Sequence, residues 1–501
     1  MLPISVVVVL AAMAVALLFI KDNRTAKAAA MLAHIVALGL CVVMLAQVSD
    51  GSFIRVVFGA EPWNFYVLTG PLDAFMVTLF VGVSTFIQWA SFSMIEHDII
   101  SKRVRYYYAL MCTLIASLCG IVIFENFFSI FLMIEVSSFA AVGIIIVKNK
   151  KENMRAGLKY LTLSIFGSSF ILMGIIILYF LTGSLSLTGV HAGLIENYAG
   201  NESTVQNAFI FITVGAALKS ALFPLHIWLP DAHSTAPSPS SAVLSSLVIK
   251  SYMFLYIKVL YKAIGVDILQ NDPVLSMILF GVMLIGGAAM LTGSFMAILQ
   301  TDIKRMIAYS SVAQIGYIFL GIGMGTRYGL FAAMFHILAH AVTKAVLFLV
   351  AGSIIEQTHN RDIRKMRGLG AQMRITMIMF TIGALSMIGI PLFVGFNSKW
   401  YFATGMIDAQ YIWLLSVLLL SSLLNGCYYL PIVVRAFFSK ASENNEEGVA
   451  DEGEEAAKPA SCERPVKQLL PIMILAGLVV VLAIAAGPIN SYIHMGIGVI
   501  W

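Results

Sequence analysis

The sequence predicts an all-α polytopic membrane protein of about 14 transmembrane helices, on three observations. Of 501 residues, 60% are hydrophobic and only 11% are charged, with a mean hydropathy of +0.91. A soluble domain carries roughly a quarter of its residues as charges. Apolar stretches also recur at the length of about 20 residues that a helix needs to cross a bilayer. Finally, the basic residues are sorted into alternate loops. Open sheet edges cannot face lipid, so the spans are helices.

In order, the spans read as 2–20, 28–48, 71–95, 107–123, 126–147, 157–182, 207–225, 239–261, 273–298, 306–323, 328–355, 375–396, 410–434 and 468–491. The first has no basic stretch before it and no small-residue cleavage site after it, so it reads as a retained helix. Loops after odd-numbered spans carry Lys21, Arg24 and Lys27, then Lys102, Arg103 and Arg105, then Lys148, Lys150, Lys151, Arg155 and Lys159. Lys304 and Arg305 follow as a charged helix end, and a basic cluster runs from Arg361 to Arg374. The opposite face holds Arg55, Lys258, Lys262 and Arg327. This bias places the odd loops in the cytoplasm and both termini outside a cell (inner or plasma) membrane. The net charge of +5 therefore reports topology, and no nucleic-acid partner is expected.

The chain divides into a three-helix segment (1–105), two five-helix repeats (106–262 and 263–440), an acidic cytoplasmic loop (441–467) and a C-terminal helix (468–501). The acidic run 443–455 reads as a solvated loop. Cys41, Cys112, Cys119, Cys427 and Cys462 show no C-x-x-C or paired spacing and read as small core residues. No cofactor or metal is expected. Redox centres, if this chain serves a redox machine, belong to other subunits.

Lys219, Lys250, Lys344 and Lys399 lie deep in apolar spans. One charge at the bilayer centre costs roughly 3 kcal/mol, so intramembrane lysines mark ion paths. Glu135, on the fifth span, is a natural partner for Lys219. The pair reads either as a proton switch or as a static ion pair that fixes packing. Pro224 and Pro230 follow Lys219 and break its helix, which is tolerated where the break lines a cavity or is buried in protein. His226, Asp231 and His233 either feed protons to the lysine or are hydrogen-bonded loop structure. A spacing of four puts His336, His340 and Lys344 on one helical face, which suits proton relay. Pro391 and its neighbouring glycines break a second helix ahead of Lys399. Broken helices at matching positions in two halves indicate inverted repeats.

These residues closely resemble the antiporter-like subunits shared by respiratory complex I, Mrp-type Na⁺/H⁺ antiporters and membrane-bound hydrogenases. The resemblance rests on five motifs. They are the Glu135 helix, Lys219 with Phe-Pro-x-His-x-Trp-Leu-Pro-Asp-Ala-His, the run from Gln300 to Ser311, the His336/His340/Lys344 face, and Gly-Ile-Pro-x-x-x-Gly-Phe-x-Ser-Lys399. The chain is similar to the shorter members, the Mrp-type D component among them. The resemblance implies a Glu135–Lys219 modulating pair, a polar axis through Lys250 and the His336/Lys344 region, and Lys399 as the terminal exchange residue. It further implies membrane subunits as partners, with H⁺, alone or together with Na⁺, as the transported ion. Rival readings are a complex I-type proton-pumping subunit, an autonomous solute transporter and a structural scaffold.

Overall fold

The sequence punctuates its helices with polar caps and glycines, and the computed structural model, which describes residues 1–58, 65–439 and 462–501, breaks the chain at those signals. Helix α1 (Leu2–Phe19) leads into α2 (Asn23–Gln47), whose first turn is capped by Asp22 accepting from Thr25 N. An antiparallel hairpin, β1 (Ile54–Phe58) and β2 (Phe65–Thr69), pairs Ile54 with Thr69. Then follow α3 (Pro71–Asp98), α4 (Val104–Ile123), α5 (Phe127–Ile146, capped by Asn126) and α6 (Lys151–Thr182). Next are α7 (Leu187–Asn197), α8 (Glu202–Lys219) and α9 (Leu229–Thr235).

Helix α10 (Ser238–Val243) passes through a π turn into α11 (Ile249–Lys258), and a second π turn (Val259–Ile264) ends that span. After α12 (Val266–Asn271) come α13 (Pro273–Ile298), α14 (Ile303–Gly323) and α15 (Arg327–Thr358). The chain closes with α16 (Leu369–Gln372), α17 (Arg374–Ile388), α18 (Val394–Asp408), α19 (Leu414–Phe438), α20 (Val466–Ile484) and α21 (Ala486–Ile500).

Among the described residues, 12 helices are long and apolar enough to cross a membrane. The two remaining expected spans, 207–225 and 375–396, fall on the interrupted helices α8 and α17–α18. The last expected span runs past the end of α20 into α21. The acidic run 443–455 lies outside the described residues.

Depth in the bundle follows polarity. The most apolar windows of α15 and of 238–264 are wholly buried by protein, whereas only 28% of that window in α1 is. Lys250, His336, His340 and Lys344 therefore ride on the innermost helices, where protein rather than lipid surrounds them. Helices α13 and α14 approach closely because Gly316 stands at their crossing; a Cβ there would lie 2.7 Å from Met290 N, and small residues allow such contact.

Lys258 and Lys262, which the sequence assigns to the face opposite the basic loops, are drawn inward. Lys262 Nζ lies 2.7 Å from Glu125 and 3.3 Å from Asp73, and Lys258 donates to the carbonyls of Val122 (2.7 Å) and Phe124 (2.8 Å). Two acids compensate the two bases, which is what lets all four be buried.

Candidate functional site

Helix α8 ends at Lys219 because Ala221 turns left-handed (φ 56°) and Pro224 cannot continue a helix. The freed Leu218 carbonyl is taken by Trp228 Nε1 at 3.1 Å. The ammonium of Lys219 turns instead to neighbouring helices. It donates to Ser138 Oγ on α5 and to Ser164 Oγ on α6, each at 2.7 Å, and lies 5.4 Å from the Tyr252 ring centre. Glu135 sits one turn before Ser138 on α5 and does not contact Lys219 directly. Its Oε1 is buried and has no hydrogen-bond partner among the described residues. The carboxylate is nonetheless near enough to act on Lys219 through its field.

Lys250 and Lys344 are both fully buried. Lys250 Nζ donates to the carbonyl of Ser245 across the π turn. Lys344 Nζ donates to Ile307 O at 2.8 Å and to Ser310 Oγ. These two environments meet on α14, where Ser311 Oγ lies 3.0 Å from Ser245 Oγ. Along α15 the rings of His336 and His340 stack 6.0 Å apart, and His336 Nδ1 pairs with Ser398 Oγ at 3.0 Å. Neither ring nitrogen of His340 has a hydrogen-bond partner among the described residues. Tyr317 packs its ring 5.2 Å from His336 and also 5.2 Å from Lys399 Nζ.

The second break holds Lys399 in its own way. Gly389 adopts φ +91°, a left-handed conformation that glycine takes without strain. Met387 and Ile388 are left with free carbonyls beyond the last helical turn. Lys399 Nζ donates to both, at 3.0 and 2.8 Å, and to Ser422 Oγ at 2.9 Å. The lysine chain lies against the glycine: a Cβ at Gly389 would stand 2.7 Å from Lys399 Cδ. Pro391 follows this turn, as Pro224 follows the first.

The remaining expected residues separate. Asp231 is paired with Lys159 (2.7 Å) and Arg305 (3.3 Å) at one end of the bundle. His226 stacks on Phe223 at 5.6 Å. His233 is buried, stacks on Phe348 at 5.4 Å, and offers two ring nitrogens without hydrogen-bond partners among the described residues.

Residue types alone passed over the hydroxyls. Ser138 and Ser164 hold Lys219, Ser310 holds Lys344, Ser422 holds Lys399, Ser398 pairs with His336, and Ser245 pairs with Ser311; the signals for them were the Tyr309-Ser310-Ser311 run in an apolar helix and the Ser398-Lys399 motif. Among the described residues, none of Lys219, Lys250, Lys344 and Lys399 has a carboxylate within ion-pair distance. Each is held by neutral oxygens, in contrast to the fully compensated Lys258 and Lys262. Hydrogen bonds to a charged group supply about 1.5–3 kcal/mol each, enough to hold an ammonium without fixing its charge.

Relatives and solved structures resemble this chain over most of its length. Residues 124–425 match the family described as NADH:quinone oxidoreductase/Mrp antiporter, TM. The chain is 32% identical to NADH-quinone oxidoreductase subunit N of Desulforudis audaxviator, over 84% of this chain and 82% of that one. It is 30% identical to the D component of the Na⁺/H⁺ antiporter of Alkalihalophilus pseudofirmus, over 78% and 75%. In fold it superposes on a chain of the Mrp complex from Dietzia sp. with TM-score 0.88 at 21% identity, covering 100% of this chain and 97% of that one. A chain of the archaeal membrane-bound sulfane sulfur reductase gives 0.86 at 23% identity, with the same coverage. The match spans every element that carries the buried lysines, and the chain belongs to the NADH:quinone oxidoreductase/Mrp antiporter transmembrane family.

Proposed function

We propose that this chain is the proton-translocating, antiporter-like subunit of a multi-subunit membrane complex. In this reading protons pass through Glu135, Lys219, Lys250, Lys344, His340, His336 and Lys399. The observation that carries it is the row of buried lysines held by hydroxyls and carbonyls rather than by carboxylates. A buried ammonium locked to a carboxylate is a structural element; one held by neutral oxygens can lose and regain its proton without leaving an orphaned anion behind.

Coupling between sites is electrostatic. A charge gained at Lys219 changes the proton affinity of Lys250 and so on along the row. Moving one charge against 100 mV costs about 2.3 kcal/mol, which a shift of about two pKa units matches. Glu135, one turn from the serine that holds Lys219, is placed to modulate the first member. Two broken helices, α8–α9 and α17–α18, each ahead of a serine-held lysine or at one, support the pair of five-helix repeats 106–262 and 263–440.

The sorting of basic residues supports a cell membrane location with both termini outside. Membrane subunits are the expected partners, since the similar solved chains come from multi-subunit membrane complexes. An Mrp-type antiporter or a membrane-bound hydrogenase is the parent complex we favour, with a complex I-type oxidoreductase as the alternative.

Two measurements test this. Proton flux in vesicles holding the intact complex falls at least tenfold in Lys219→Ala and Lys399→Ala; normal assembly with normal flux overturns the reading. Gentle solubilisation and mass spectrometry of co-purifying chains then assigns the parent. Small membrane partners alone indicate the Mrp type, and iron–sulfur partners indicate a redox-driven pump.

A further inference from the structure

Helix α18 carries Lys399 on one face and two further polar side chains on another. Asn397 and Tyr401 lie four residues apart and so share a face. Lys399, between them, stands about 200° round the helix from Asn397. The Lys399 face is held from within the bundle: the ammonium donates to Met387, Ile388 and Ser422 oxygens, and Ser398 pairs with His336. The other face is held by the C-terminal pair α20–α21, which supplies no member of the lysine row.

That hold is built at a helix break. Ala483 lies in the last turn of α20, where carbonyls have no partner within the helix. Pro488, just past the break, has no N–H to offer them. Asn397 Nδ2 takes the place, donating to Ala483 O at 2.9 Å. One turn into α21, the Asn490 amide meets Tyr401 Oη at 2.5 Å. The Tyr401 ring stands edge-on to Phe331 and Phe335 of α15, 5.0 and 4.9 Å away. Phe331 in turn stacks on His494 of α21 at 4.0 Å, and Phe335 directly precedes His336. The C-terminal pair thus grips both helices that bear the last members of the row. Hydrogen bonds of this kind between membrane helices fix how the helices pack.

We infer that Asn397 and Tyr401 are positioning residues for Lys399: bound to the α20–α21 break, they set the depth and rotation at which α18 presents the lysine to its acceptors. The inference rests on the relay reading above for its effect on transport, and on geometry alone for its effect on position. Helix α18 is only 15 residues long and follows the break at Pro391, so no continuous helix fixes its roll. Its first turn is pinned, because Gly395 lies against the Ser386 carbonyl too closely to leave room for a Cβ. Beyond that turn, Asn397 and Tyr401 are what stop the helix from rolling. A lysine that changes acceptors changes its proton affinity.

The test uses the assembled complex in vesicles. Asn397→Leu keeps the size of the side chain and removes its donor. It is expected to cut proton flux by about fivefold or more and to move the pH of half-maximal flux. Thr404→Val is the comparison: its hydroxyl bonds only carbonyls of α18 itself, and it should leave flux and pH profile at wild type. A second readout does not depend on transport. In a background whose native cysteines are replaced, Lys399→Cys is labelled with N-ethylmaleimide, with and without Asn397→Leu. Thiol reactivity follows exposure and local charge, so the labelling rate should change by about threefold or more. Where Asn397→Leu does not assemble, Tyr401→Phe, which removes one hydroxyl, is read in the same two ways. Wild-type flux and pH profile with an unchanged labelling rate overturn the inference, as does an equal effect of Thr404→Val. Lys399→Ala separates the two ideas. If it is inactive while the labelling rate is unchanged, the positioning is wrong and the relay stands. If it conducts fully while the labelling rate changes, the positioning stands and the relay is overturned.

Discussion

Ser245 and Ser311 bring their hydroxyls to within 3.0 Å of each other across the interface between the π turn before α11 and the middle of α14. Ser245 gives its carbonyl to Lys250, and Ser310, beside Ser311, gives its hydroxyl to Lys344. The two fully buried lysines are thus joined through three serines and a helix backbone.

Removing that join should slow transport without unfolding the protein. Ser311→Ala deletes one hydroxyl and leaves the buried Ser245 Oγ without that partner, so stability should fall by about 1–3 kcal/mol. Proton flux should fall about tenfold, equivalent to ~1.4 kcal/mol on the barrier. Wild-type flux in Ser311→Ala, measured by a pH-sensitive dye in vesicles, would show that protons cross between Lys250 and Lys344 by another way.

Gly389 can be tested through its conformation. An alanine there is strained by the left-handed φ and presses on the Lys399 side chain, so Gly389→Ala should cost about 1 kcal/mol or more. It should also lower flux more than its effect on thermal stability explains, because Lys399 loses its seat on the Met387 and Ile388 carbonyls. An unaltered flux in a stable variant would remove the break from the mechanism.

The cluster of Asp73, Glu125, Lys258 and Lys262 gives a stability prediction that differs in size between single and double changes. Glu125→Gln leaves Lys258 and Lys262 with one carboxylate between them, and breaking a buried pair costs about 3–5 kcal/mol. Assembly of the complex should drop sharply. Glu125→Gln combined with Lys262→Gln restores neutrality and should recover part of it. Equal assembly of the single and double variants, read on native gels, would argue against mutual compensation.

Asp272, the N-cap of α13, offers a pH test. Burial works to raise the pKa of its carboxyl, but hydrogen bonds from Tyr198, from Gln206 and from the backbone of Leu275 and Val274 outweigh it and hold the value below normal. A group depressed in the folded state stabilises above its unfolded value, about 3.9, and loses that contribution as pH falls through the folded value. Asp272→Ala should therefore lower thermal stability at pH 7, by about 1 kcal/mol for a lost helix cap. The gap from wild type should narrow below about pH 4. A gap that stays constant to pH 3 would rule out ionisation as its source.

Much of the site was legible as residue types. Four lysines and two histidines in apolar helices could not be missed, since each is expensive in lipid. The i, i+4 spacing of His336, His340 and Lys344 put them on one face by helix geometry alone. The breaks at Pro224 and Pro391 were equally plain, because proline removes a helical donor wherever it falls. What stayed hidden were the contacts. A serine in an apolar helix bonds its own backbone as readily as a distant lysine, so nothing in the sequence singled out Ser138, Ser164 or Ser422.

Sequence alone thus determined the class, the approximate span positions and which charged residues fall within apolar spans, because the bilayer imposes length and polarity on each helix separately. Only the tertiary structure decided that Lys219 meets two serines rather than Glu135 and that Lys399 sits on the carbonyls of its own broken helix. It alone turned Lys258, Lys262 and Lys304 inward from the helix ends and faces to which the sequence had assigned them. Those outcomes depend on which helices pack together, and the free energy of a buried charge is set by the oxygens its neighbours bring to it.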